Sequence, residues 1–343
     1  MNQPASSQQP TRKKTVISLL ILLVLTGVVV CIFKDHWVEI STALAQLSWG
    51  QVVLVLLLGV SYPVLEGVAS WLIVCSRIPH FGLREGIENA FMGTFGNVVC
   101  LGTGAVPMQT YYLYHWGLPI GPGVGLMTLQ YVFHKSAVLL YATVMLLLQH
   151  SWFSAHTSGV LHYLPAAYAV VALIIVGLVL LCVSPLVQRL ARWLLGYLPK
   201  TETWQTRRSR WLEQLDTLAA ESRNLLADKG RCIRIFAVHT FKLFLLFTIP
   251  YLCIRFMGLS APLTFWQVQL LTSLMLFLSN ALPNVAGMGS IETAFLLVFG
   301  SFMPQGEVMC TLMLYRIASY YVVFLVSAVG FFAAEQHIKN GIL

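Results

Sequence analysis

Charge is what this chain has least of. Asp, Glu, Lys and Arg make up 10% of it, against 57% hydrophobic residues, and the mean hydropathy is +0.76. Several uncharged runs of about 20 residues or more accompany that shortage. Together they exclude a water-soluble surface and leave no room for a separate soluble catalytic domain. The seven cysteines are scattered in or beside apolar segments without a CxxC pair, which argues against a disulfide framework or a metal site. His150, His156 and His162 are awkwardly spaced for one metal and are read as polar loop residues. No GxxxxGK[ST], HExxH or GxSxG occurs, so nucleotide-driven transport, zinc hydrolysis and serine hydrolysis lose their sequence support. No cofactor and no metal are expected, and no covalent chemistry.

The net charge of +8 does not point to nucleic acid, because its placement has another cause. Ten of the 21 Lys and Arg lie between Arg189 and Arg234, and Arg12, Lys13 and Lys14 precede the first apolar run. Such clusters stay in the cytoplasm. The apolar run from Thr15 to Phe33 is long and lacks a small-x-small cleavage site, so it reads as a retained first span rather than a signal peptide.

What is present is organised around Leu278 to Arg316. This stretch is too apolar for a soluble surface, yet it holds Asn280, Pro283, Asn284, Gly287 and Gly289, then Glu292. Pro removes a backbone donor and Gly loosens a helix, so two half-helices meeting at a broken tip are expected. The same grammar occurs 183 residues earlier. Asn280 falls on Asn97, Gly287 on Gly104 and Glu292 on Gln109.

Taken in order, 1–14 is a cytoplasmic tail and 15–335 one transmembrane domain, followed by a second cytoplasmic tail at 336–343. Full spans are expected at about 15–33, 50–75, 123–149, 163–184, 232–256 and 308–333. Residues 86–118 and 264–303 form two re-entrant hairpins, the first opening inward and the second outward. Pro107 suits the first turn of a half-helix, where its missing donor costs nothing. This reading places 16 of the 21 Lys and Arg inside, two outside (Lys34 and Arg255) and three within spans. The fold class is therefore an all-α polytopic membrane protein of about six full spans plus two oppositely oriented re-entrant hairpins. Residues of about 50–149 and 233–333 form inverted repeats, an architecture of transporters. Within the amphipathic segment 185–230, Trp204, Trp211, Leu212, Leu215, Leu218, Leu225 and Leu226 recur at helical spacing. They fit a helix on the inner leaflet or one packed on the protein's own cytoplasmic face.

Ionisable groups inside a membrane are expensive and mark function. Lys135 lies midway along its span beside His134, Arg316 a third of the way into the last span, Glu292 in a half-helix first turn, and Glu66 deep in the second span. Lys242 is read as nearer the inner surface and able to snorkel. Lys135 and Arg316 beside two half-helix amino ends would make a positive pocket suited to phosphate. The competing reading is that Glu292 pairs with Arg316 or Lys135 only to make burial tolerable. Asn97, Asn280, Pro283, Gly104, Gly287 and Gly289 shape the tips, with lining of a substrate path as a second role.

The pattern P-x3-G-x-G-x2-E at Pro283, Gly287, Gly289 and Glu292, with the Tyr315-Arg316 pair, resembles the flippase-like integral membrane family. That family includes the transmembrane flippase domain of bacterial lysylphosphatidylglycerol synthases of the multiple peptide resistance factor type. Asn97 to Tyr112 resembles its first hairpin loosely, with Cys100 and Gly102-Thr103-Gly104 replacing the usual Pro and paired Gly. The resemblance implies translocation of a phospholipid or glycolipid between leaflets of the bacterial cytoplasmic membrane, often as a homodimer. It carries over Pro283, Gly287, Gly289, Glu292 and Arg316. The aminoacyl-transferring domain of those synthases is not in this sequence, so the chain is expected not to make lysylphosphatidylglycerol. Alternatives are an accessory subunit or intramembrane enzyme of cell-envelope glycolipid synthesis, and a proton-coupled small-molecule transporter.

Overall fold

The computed structural model describes residues 37–156, 164–197, 201–280 and 289–339. The expected first span at 15–33, His162, Pro283, Asn284 and Gly287 lie outside the described residues. All regular structure among the described residues is helical. In order, the helices are α1 (Trp37–Ala45), α2 (Trp49–Val74), α3 (Leu83–Val99), α4 (Ala105–His115), α5 (Ile120–Leu148) and α6 (His150–His156). There follow α7 (Leu164–Val183), α8 (Pro185–Gly196), α9 (Glu202–Ala227), α10 (Lys229–Phe256), α11 (Phe265–Ser279), α12 (Ser290–Phe299), α13 (Gln305–Arg316) and α14 (Val322–Lys339). A π-helical turn, Ile317–Tyr321, joins α13 to α14.

Four stretches are long and apolar enough to cross a membrane: α2, α5, α10 and the run Gln305–Lys339. The bent pair α7 and α8 makes a fifth if the two are counted as one span. The protein is therefore a multi-pass membrane protein. Its perimeter carries Leu57, Leu147, Leu173, Val329 and Phe332 exposed, as a lipid-facing surface requires. The same order of long helix, two short helices and long helix occurs twice. Adding 183 to the bounds of α2, α3, α4 and α5 gives those of α10, α11, α12 and the α13–α14 run within three residues at every end but the last.

The first short pair is a helical hairpin. Its register is antiparallel: Tyr112 donates to Glu88 at 2.6 Å, Gly93 faces Gln109, and Gly96 faces Met108 and Gly104. The turn reverses through Leu101 and Gly102, both at positive φ, and the Gly102 N–H donates to the Asn97 carbonyl at 2.7 Å. The neck is glycine for a steric reason. A Cβ on Gly104 would lie 2.0 Å from the Gly96 carbonyl oxygen, which no rotamer can relieve. Gly104→Val is expected to wedge the arms apart and lower stability by about 1–3 kcal/mol, read as a fall in the thermal midpoint in detergent.

The open end of this hairpin is tied down. Glu88 accepts from Arg84 at 2.9 Å and lies 2.9 Å from His337 Nδ1 near the end of α14. Nearby, Arg77 grips Glu221 of α9 through contacts of 2.8 to 3.0 Å. The loops at the far end of α5 are tied to the other pair instead. Trp152 of α6 stacks on Phe302, 5.1 Å between ring centroids, and Ser260 bonds to Glu307.

The amphipathic segment divides differently from the expectation. Residues 185–230 form two helices, and α9 turns Leu215, Ala219 and Leu225 inward against α5, α7 and α10. Of the two placements open for that face, packing on the protein holds for Leu215, Leu218 and Leu225, whereas Trp211 and Leu226 stay exposed. The exposed apolar face belongs to α8, where Leu186, Leu190, Trp193, Leu194 and Tyr197 recur at helical spacing. A bend of 99° turns α8 across the line of α7, and Arg189 and Arg192 flank the apolar face, the composition of an interfacial helix.

Candidate functional site

Broken helices bring polar groups where the bundle should be apolar. A cavity of about 380 Å³ lies among α2, the first hairpin, α5, α11, α12 and the α13–π junction. Five of the expected site residues line it: Glu66, Asn97, Gln109, Lys135 and Arg316. Asn280 sits at its edge, where Lys135 Nζ donates to Asn280 Oδ1 at 2.5 Å. That bond ties α5 to the last turn of α11, and the Tyr131 ring lies 5.1 Å from the same ammonium.

Glu292 stands behind the cavity wall. One carboxylate oxygen accepts the Gly289 N–H at 2.7 Å, closing the amino end of α12. The other lies 2.8 Å from Arg316 Nε. Gly289 holds φ +88, a left-handed geometry that a side chain would strain, and this explains glycine at that position. The Arg316 guanidinium also lies over the Tyr320 ring at 4.3 Å, across the π turn. π turns redirect side chains locally and recur at functional sites. Here Arg316, Ser319 and Tyr320 all reach the cavity. Of the remaining tip residues, Gly104 forms the hairpin neck and Pro107 lies in the first turn of α4. Pro283 and Gly287 fall outside the described residues.

Lys242 corrects an expectation. It does not snorkel. It is fully buried at the middle of α10, roughly 20 Å along the helix from Lys229. Its ammonium is bonded to Glu66 and stands 3.1 Å from His239 Nδ1. Gln130 supplies a second bond to Glu66 at 2.7 Å. His239 was not singled out by the sequence reading. The available signal was its position three residues before Lys242 on an otherwise apolar helix, which places both on one face.

The charges can be counted. Lys135, Lys242 and Arg316 face Glu66 and Glu292, leaving one positive charge in excess with the histidines neutral. Two of the cations have carboxylate partners. Lys135 has none among the described residues, and its partner is a neutral amide. The cavity is thus a chamber lined by several polar groups, with one ammonium set to meet an anion and an excess of positive charge that favours one.

No curated protein matches the chain. The family described as "Lysylphosphatidylglycerol synthase TM region" matches residues 15–327, a span that takes in the cavity, both short-helix pairs and the α13–π junction. That match covers most of the sequence, and the protein belongs to this family of membrane-lipid-related transmembrane regions.

Proposed function

We propose that the protein moves a phosphate-bearing phospholipid or glycolipid between leaflets of the bacterial cytoplasmic membrane. The observation that carries the reading is Lys135, a mid-helix ammonium at the cavity with no carboxylate partner among the described residues. A lipid phosphate is the anion a membrane supplies at its surfaces, and translocation must carry it past this depth. Its headgroup enters the cavity, Lys135 meets the phosphate, and the acyl chains stay in the bilayer. Arg316 adds donors in a fixed fork, with Glu292 holding it in place. Asn97, Gln109 and Asn280 supply neutral hydrogen bonds to the rest of the headgroup.

In this reading the two short-helix pairs are re-entrant hairpins entering from opposite faces, within inverted repeats and six spans. Two observations support it: the element order recurs at an offset of 183, and the first pair is tied to α14 through Glu88 and His337 whereas the second is tied to α6 through Phe302 and Trp152. The basic α8–α9 side and both termini face the cytoplasm. The protein performs no covalent chemistry, and a homodimer is its natural assembly. Rocking of one repeat against the other exposes the cavity to each leaflet in turn.

The test is reconstitution into liposomes with a panel of fluorescent lipids that share acyl chains and differ in headgroup. Phosphate-bearing lipids are expected to cross while diacylglycerol gains nothing over protein-free vesicles. Equal rates with and without protein for every lipid overturn the proposal, and competition by a soluble anion in place of lipid favours a small-molecule transporter.

A further inference from the structure

The Glu66–Lys242 pair has more neighbours than a tolerated ion pair needs. Around it stand two imidazoles. His239 Nδ1 is 3.8 Å from the Glu66 carboxylate and accepts from Lys242, which fixes His239 as the neutral tautomer with its proton on Nε2. That Nε2 is buried with no hydrogen-bond partner among the described residues, and so is Nδ1 of His134. The two rings lie tilted to one another with centroids 5.7 Å apart. Glu66, Tyr62 and His134 line the cavity, whereas Lys242 and His239 lie behind it. The cluster therefore leaves the cavity wall at Glu66, passes behind it through Lys242 and His239, and returns to it at His134.

Among the described residues, the groups facing the cluster come from several helices, with Tyr131, Tyr320 and Glu292 also at the cavity or paired to Arg316. Tyr62 and Glu66 come from α2, Gln130, His134 and Lys135 from α5, and His239 and Lys242 from α10. Tyr315 and Arg316 look across the cavity from α13, and Asn280 of α11 holds Lys135. The Lys242 ammonium sits 4.4 Å above the Tyr62 ring, one side chain from the open cavity.

We propose that Glu66, Lys242, His239 and His134 form a proton-binding site that couples lipid movement to a proton gradient, one proton travelling with each phosphate-bearing headgroup. This rests on the lipid-translocation reading above. An O–H bond forms on Glu66 and its carboxylate charge is lost. Lys242 then keeps a buried positive charge without a counter-ion, a costly state that an incoming phosphate relieves. When the headgroup leaves on the other side, the proton leaves Glu66 for the same cavity by way of His239 and His134, which also lines it, and the ion pair closes again. One proton and one phosphate monoanion leave the total charge unchanged, so loading does not put net charge into the membrane. Because binding free energies are reciprocal, the factor by which a bound proton tightens lipid binding is the factor by which bound lipid tightens proton binding.

The experiment uses the full chain in phosphatidylglycerol-containing proteoliposomes with a fluorescent phosphatidylglycerol probe, a trapped pH dye and an imposed gradient of one pH unit. One proton per lipid makes the probe distribute about tenfold toward the alkaline-facing leaflet, and the dye reports proton entry in step with the lipid. The paired variant Glu66→Gln/Lys242→Met removes both charges so that neither is stranded, and is expected to lose the tenfold asymmetry. His239→Gln keeps the ion pair and is expected to slow the dye response, so the site is tested even where the paired variant fails to fold. Wild type that equalises the probe whatever the gradient, with a silent dye, overturns the coupling and leaves the translocation reading standing. No probe movement at all overturns the reading beneath it. A folded paired variant that keeps the tenfold ratio overturns the assignment to these residues.

Discussion

Lys135→Met is expected to cut translocation of a phosphate-bearing lipid by at least tenfold while the protein stays folded. The reason is the asymmetry among the three buried-region cations. Lys242 and Arg316 each neutralise a carboxylate, so removing either strands a charge and disturbs the fold. Lys135 gives up only a neutral amide, Asn280, and a Tyr131 ring face. Methionine keeps most of its apolar stem, and Asn280 Nδ2 still donates to the Leu276 carbonyl at 3.0 Å. What is lost is the charge that meets the phosphate, and a charge-assisted hydrogen bond is worth about 1.5–3 kcal/mol, roughly ten- to hundredfold. The check is lipid translocation beside the thermal midpoint of the same sample. Full activity in Lys135→Met removes the cavity's claim to phosphate, whereas Lys135→Arg, which restores a cation, is expected to recover part of the rate.

The second large effect is on stability. Arg316 and the Glu292 side chain are each under 10% exposed, and they stand 2.8 Å apart. Arg316→Ala leaves a carboxylate buried without its counter-charge, a loss of about 3–5 kcal/mol. For a chain of this size that lowers the thermal midpoint by on the order of 10 °C. Glu292→Gln costs less, because an amide can still accept from the Gly289 N–H and close the amino end of α12. Replacing both partners by apolar residues of similar volume, Arg316→Met with Glu292→Leu, is expected to restore much of the stability, since desolvating an ion pair offsets most of what the pair contributes. Translocation is not expected to return with it. That split between recovered fold and missing activity separates a working guanidinium from one kept only to neutralise Glu292. A double variant with wild-type transport would leave the pair a structural role alone.

How much of this was legible beforehand follows from which signals are local. Apolar runs and the positive-charge bias located α2, α5, α7, α10 and the α13–α14 run to within a few residues, because a span declares itself along its own length. Asn97, Gly104 and Pro107 place the first hairpin because chain reversal demands particular backbone conformations. Glu66, Asn97, Gln109, Lys135 and Arg316 were picked out as unusual in apolar surroundings, and they meet at one cavity. Partnership was not legible. Lys242 reads as snorkelling because the sequence does not say which face of α10 is covered, and the spacing of His239 from Lys242 gains meaning only once Lys242 is known to be buried. The division of labour between α8 and α9 was hidden for the same reason. Both are amphipathic, and only packing against α5 and α7 decides which apolar face is already satisfied.

The most direct measurement places the headgroup itself. A phospholipid carrying a photoactivatable group beside its phosphate, reconstituted with the full chain and irradiated, reports which side chains the phosphate visits. The predicted adducts fall on Tyr131, Ser319 and Tyr320 at the cavity and diminish in Lys135→Met. Adducts confined to perimeter residues such as Leu173 and Phe332, unchanged by that substitution, would contradict a headgroup path through the interior of the bundle.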